Sequence, residues 1–216
     1  MVTVDYIFDE FRITEEEYEE LDKEFGNLCY KAAWELKKKN FRNNYTDEIE
    51  DIVQDLRWSM SRACIYTKRQ RYIEASMAAV ASHCDITVNR EGEEPDDEWF
   101  VKTNNPKYVF VALVLEQLLD LWDNRTRHGA NKQKFGAYQE QILDTLLKTY
   151  VPEDKRPNKQ SKLEIDKRFS VYCKAIIWNC GKNLGKKITR ERSIRSGLVS
   201  LSEHSYLVGS EGFPGL

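Results

Sequence analysis

No apolar run in this chain approaches the roughly 18 residues that a membrane-spanning helix requires. The opening stretch, Met1 to Phe11, is acidic where a secretory leader would carry bases and then an apolar segment. The cysteines, at 29, 64, 84, 173 and 180, are odd in number and include no Cys-x-x-Cys pair. A chain of 216 residues with such spacing is not expected to rest on a disulfide framework, and a reducing compartment is the expected setting. There is no internal repeat. These absences leave an intracellular protein that does not enter a membrane as the expectation.

What is present suffices for a core. Hydrophobic residues make up 41% of the chain and charged residues 32%, the latter above the usual quarter. The net charge of -3 excludes a uniformly cationic nucleic-acid coat, but the charge is unevenly placed. Residues 1–20 hold eight acids against the single base Arg12, whereas 182–195 hold Lys182, Lys186, Lys187, Arg190, Arg192 and Arg195 against Glu191. Two electrostatic surfaces on one molecule are expected.

Apolar periodicity predicts an all-α fold. Thr14 with Glu17 three residues on forms a capping box for a helix over 14–39, whose stripe is Tyr18, Leu21, Phe25, Leu28 and Ala32. A second helix is predicted over 47–75, started by Thr46, Asp47 and Glu48. Its core face is Ile49, Ile52, Val53, Leu56 and Met60, which turns Glu50, Asp51, Gln54 and Asp55 outward; its later part, Lys68 to Arg71, is basic. Residues 84–106 read as irregular, with the acid-rich run 91–98 as an exposed loop. A buried helix is preferred over a strand for 107–122, followed by a polar turn around Gly129. Phe135, Tyr138, Ile142, Leu146 and Tyr150 predict another helix, and Pro152 and Pro157 a connector. A long helix is expected from Lys162 to about Lys187, with Ile165, Phe169, Tyr172, Ile176 and Cys180 on one face, and then a short tail over 198–216.

Catalytic constellations are weak. Gly181-Lys182-Asn183-Leu184-Gly185-Lys186-Lys187 approximates a phosphate-binding loop, but it is one residue short between glycines, lacks the Ser or Thr that holds magnesium, and sits in a helical pattern. His83 and Cys84 are adjacent without a second ligand pair, and His128 and His204 stand alone, so no metal is expected. Carboxylate pairs fall on helix faces, where solvated charge is the ordinary reading. No catalytic residue and no cofactor site are predicted.

The basic segment is more informative because it follows Phe169, Tyr172 and Trp178. Single-stranded nucleic acid needs cations for its phosphates and flat π faces for its unstacked bases. Phe169 lies on the apolar stripe and reads as core; Trp178 points away from it and reads as an exposed platform. Tyr172, Lys174, Trp178, Lys182, Lys186, Lys187, Arg190 and Arg192 are the candidate nucleic-acid contacts.

Two segments taken together resemble the sigma-70 family of bacterial transcription initiation factors. Asp47-Glu48-Ile49-Glu50-Asp51-Ile52-Val53-Gln54-Asp55-Leu56 is similar to the region 2 helix that docks on the clamp helices of core RNA polymerase. Arg168-Phe169-Ser170-Val171-Tyr172, followed by Ile176-Ile177, resembles the Phe-Ser-Thr-Tyr segment that begins the helix reading and opening the promoter −10 element. Val199-Ser200-Leu201-Ser202-Glu203 resembles a stretch often found just after that domain. The resemblance covers about 14–75 and 161–203. Three departures stand out: about eighty residues intervene between the halves, Ala175-Ile176 replaces a Trp-Trp pair, and no second DNA-binding domain follows.

The resemblance implies a region 2-like domain formed by 1–78 and 161–203, interrupted by a mainly helical insertion over 79–160, with a tail from 204 to 216. It implies Glu50, Asp51, Gln54 and Asp55 as the polymerase-binding residues, and promoter DNA, in particular its non-template single strand, as the second partner. A factor with this domain alone resembles the reduced late-gene factors of large tailed phages; these rely on other proteins, such as an activator or a sliding clamp, and work in the cytoplasm of an infected bacterial cell. The alternative from a different class is a helical DNA-binding, packaging or structural protein that never meets polymerase.

Overall fold

The computed structural model describes residues 10–40, 48–90, 99–127 and 135–208; of 39, 40, 48, 90, 123–127, 188, 191–193 and 195–208 it describes the backbone alone. Helices dominate the described residues: α1 (Glu15–Asn40), α2 (Glu48–His83), α3 (Val109–Arg127), α4 (Ala137–Tyr150) and α5 (Lys167–Val208). The exception is an antiparallel hairpin of β1 (Ile86–Arg90) and β2 (Trp99–Thr103), running from Ile86 opposite Thr103 to Arg90 opposite Trp99. The fold is therefore mainly α-helical, with one small sheet where 84–106 was expected to be irregular. Ile86, Val88, Trp99 and Val101 supply the β-branched and aromatic alternation that favours pairing. The acid-rich segment 91–98, the turn around Gly129, the caps Thr46 and Asp47, and residues 209–216 with Phe213 lie outside the described residues.

Two compact units divide the chain. One takes Ile13–Ile65 with Leu163 onward, the other the residues up to Arg12 with Tyr66–Lys162.

In the first unit the start of α1 is the capping box that the sequence predicts. The Thr14 amide donates to Glu17 Oε2 at 2.9 Å, and the Glu17 amide donates to Thr14 Oγ1 at 3.2 Å. Glu17 is only 4% exposed. Its other oxygen, Oε1, accepts the Leu163 amide at 2.9 Å and so ties the start of α1 to the approach to α5. The core comprises Leu21, Phe25, Cys29 and Leu36 from α1, Ile52, Val53, Leu56 and Met60 from α2, and Phe169, Cys173 and Ile177 from α5, with Leu163 before it. Phe25 and Phe169 meet edge to face with centroids 6.0 Å apart.

Helix α5 starts at Lys167, five residues later than expected from Lys162, because Asp166 caps it: Oδ1 accepts the Phe169 amide at 2.7 Å. Its buried stripe is Phe169, Cys173, Ile177 and Gly181, so Tyr172, placed on that face by the sequence, is instead 41% exposed. The helix runs on to Val208, and the expected tail over 198–208 is its continuation. Gly181 to Lys187 lie inside it, where amides belong to the helical ladder and form no phosphate loop.

In the second unit, α2 continues past the expected end at 75 through the helix-favouring Ala75, Ala78, Ala79 and Ala81, and stops at Asp85, whose φ of 48° is left-handed. Lys68 and Arg69 are buried: Lys68 Nζ donates to the Arg12 carbonyl at 2.7 Å, and Arg69 pairs with Glu140 and donates to the Phe135 carbonyl at 3.0 Å. Lys159 Nζ bonds Glu10 and Asp144, each at 2.8 Å, and Tyr72 Oη donates to Asp144 at 2.6 Å. Burial works against the charged amine of Lys159, but these carboxylates outweigh it and raise its pKa above the ordinary 10.5. Two expectations are corrected. Helix α3 is amphipathic and not buried all round: Val111, Leu115, Leu118 and Trp122 face inward, whereas Phe110 is 72% exposed beside Val109 and Leu113. Helix α4 buries Leu143, Leu146 and Leu147, and its Tyr138 stands in solvent.

Candidate functional site

Both sets of candidate residues belong to the first unit. On α2 the packing of Ile49, Ile52, Val53, Leu56 and Met60 fixes the rotation of the helix, and Glu50, Asp51, Gln54 and Asp55 are all exposed. Tyr30 of α1 donates from Oη to Glu50 Oε2 at 3.3 Å. The Arg57 guanidinium lies 5.6 Å from the Tyr30 ring centroid and pairs with Asp22, with Nη2 donating to Oδ2 at 3.0 Å. These contacts tie α2 to α1 and leave Asp51 and Asp55 as outward carboxylates.

The stripe does not end with Asp55. Trp58, three residues on, is 52% exposed, and the Arg62 guanidinium lies 5.2 Å from its ring centroid. Sequence reading missed Trp58, although counting the helix on by one turn from Gln54 and Asp55 reaches it.

On α5, Tyr172, Lys174, Lys182, Lys186, Lys187 and Arg190 are exposed. The side chain of Arg192 lies outside the described residues, with its backbone inside the helix. Trp178 differs from expectation: it is half-buried and packs partly against the core. It lines a groove of about 680 Å³ together with Ala32, Glu35 and Leu36 of α1 and Gly181, Lys182, Gly185, Lys186, Thr189 and Arg190 of α5. Trp178, Lys182, Lys186 and Arg190 recur every four residues, so they climb one side of the helix in a slowly drifting row. Tyr172 stands about five turns before Arg190 and is not among the groove residues. The groove has an aromatic wall and a cationic edge; Glu35 is the carboxylate among its lining residues. An anionic, planar-ringed ligand is what such a groove suits.

Among the described residues no group of three or more His, Cys, Asp or Glu is placed to hold a metal ion, and no helix is long and apolar enough to cross a membrane. None of the five cysteines forms a disulfide, and Cys29, Cys64 and Cys173 share the core. Burial pushes the Cys29 thiol up to about 11 and the Cys173 thiol up to about 12, far from nucleophilic thiolates. His83 is exposed, its Nδ1 3.0 Å from the Ala79 carbonyl, and Cys84 is buried beside it.

Comparison of the chain with models of known families, with curated proteins and with solved structures finds no match.

Proposed function

We propose that this chain is a sigma-like transcription initiation factor. It docks on bacterial core RNA polymerase through Glu50, Asp51, Gln54 and Asp55. It holds the non-template strand of the promoter −10 region with Tyr172, Trp178 and the bases Lys174, Lys182, Lys186, Lys187, Arg190 and Arg192. The reading is supported by one convergence: the two segments that resemble region 2 belong to the same compact unit, one offering an exposed acidic stripe and the other an aromatic and basic row.

The physics of each surface suits its part. Outward carboxylates facing a basic partner set encounter rate and orientation. Exposed cations along α5 neutralise phosphates and make binding salt-dependent. Stacking of unpaired bases on aromatic rings is worth roughly 1–3 kcal/mol each. The protein contributes binding energy to strand opening, and polymerisation belongs to its partner. Retention of the purified chain on core RNA polymerase, lost on reversing Asp51 and Asp55 to Lys, tests the reading. DNA binding without polymerase binding would favour a helical DNA-binding or packaging protein instead.

A further inference from the structure

We infer that Trp58 is the anchor of the α2 docking face, seated in an apolar recess of a basic protein partner. The inference rests on the docking reading above and names the residue that gives that face its affinity.

A single surface tryptophan is ordinary. The position of this one is not. At 100° per residue, Ile49, Ile52, Val53, Leu56 and Met60 define the buried side of α2, and Trp58 falls half a turn from their mean direction. Asp51, Gln54 and Asp55 fall on either side of it and share its exposure. The indole thus lies in the middle of the solvent face, bordered by the acidic stripe on one end and Arg62 on the other. The guanidinium at 5.2 Å restrains the ring before any partner arrives, which lowers the entropy lost on binding.

Charge selects the partner class. Glu50, Asp51 and Asp55 on the N-terminal side of the indole repel phosphate backbones and anionic lipid surfaces, and attract a basic protein surface. A large aromatic side chain ringed by polar groups is also the common pattern of an interface hot spot, in which the ring supplies affinity and the rim excludes water. The carboxylates here govern approach and orientation, and Trp58 governs residence time.

The experiment measures affinity for core RNA polymerase at moderate salt for the full chain, Trp58→Ala, Trp58→Phe and the double reversal Asp51→Lys/Asp55→Lys, with thermal melting of each. Trp58→Ala is expected to melt like the parent and to bind about 30-fold more weakly, mainly through faster dissociation, with Trp58→Phe recovering a good part of the loss. If Trp58→Ala binds within about threefold of the parent while the double reversal abolishes binding, the anchor is refuted and the docking reading stands. If both variants bind like the parent, the α2 face is not the interface, and both ideas fall. If the parent itself is not retained, the polymerase reading and the anchor fall together.

Discussion

The carboxylate of Glu17 accepts the backbone amide of Leu163 at 2.9 Å across 146 residues of sequence. The same carboxylate closes the capping box at Thr14, so one buried side chain both starts α1 and fixes the chain as it enters α5. Replacing Glu17 by Ala removes the reciprocal cap and leaves the buried Leu163 amide without this acceptor. The expected cost is about 2–3 kcal/mol, from a cap of about 1 kcal/mol and an unsatisfied buried donor of similar or larger cost. Urea titration of the variant measures it; a midpoint within error of the parent would show that the bond carries no stability.

Buried thiols set a limit at alkaline pH. Cys29 and Cys173 ionise near 9.0 when unfolded but hold their protons to about 11 and about 12 when folded. A raised pKa in an acid means that the folded state binds the proton more tightly, so this contribution is whole below pH 9 and is lost as pH rises beyond it. Each thiol adds a slope of about 1.4 kcal/mol per pH unit between those values. The urea midpoint is therefore expected to fall between pH 9 and 11, and to fall less steeply in Cys29→Ala and Cys173→Ala. Equal slopes in parent and variants would contradict this.

The α5 row makes a separate prediction. Changing Lys182, Lys186 and Arg190 to Ala is expected to lower the slope of log affinity against log salt for a −10 non-template oligonucleotide by about 2. Tyr172→Ala is expected to cost roughly 1–3 kcal/mol in binding with a smaller loss of stability than Trp178→Ala, because Tyr172 is 41% exposed and lies off the buried stripe of α5. Trp178→Ala should lower both, since that ring also packs on the core. Anisotropy titrations over a salt series measure these effects. An unchanged salt slope in the triple variant would remove α5 from the DNA interface.

The first unit was the legible part of the sequence, because its helices are amphipathic with a strict period. The stripe from Leu21 to Ala32, the stripe from Ile49 to Met60, and the outward set from Glu50 to Asp55 all follow from counting, whereas Tyr18, placed at the head of the first stripe, is exposed. Boundaries were less legible. The start of α5 depends on the Asp166 side chain, and Leu163 is held outside the helix by a residue at the far end of the chain. Burial within the second unit was least so. A run as apolar as Val109 to Leu115 reads as wholly interior, yet nothing among the described residues buries Phe110. The hairpin was hidden because each strand is five residues long and the acids between them dominate the local composition. At the site, periodicity gave exposure on α2 but not the half-burial of Trp178, which depends on where α1 packs against α5.

The most direct measurement is retention of the purified full chain on bacterial core RNA polymerase at low and moderate salt, beside the Asp51→Lys/Asp55→Lys variant. The account predicts retention that survives moderate salt in the parent and disappears in the variant, while both melt alike and bind DNA alike. Absence of retention in the parent, or equal retention in the two, would contradict it.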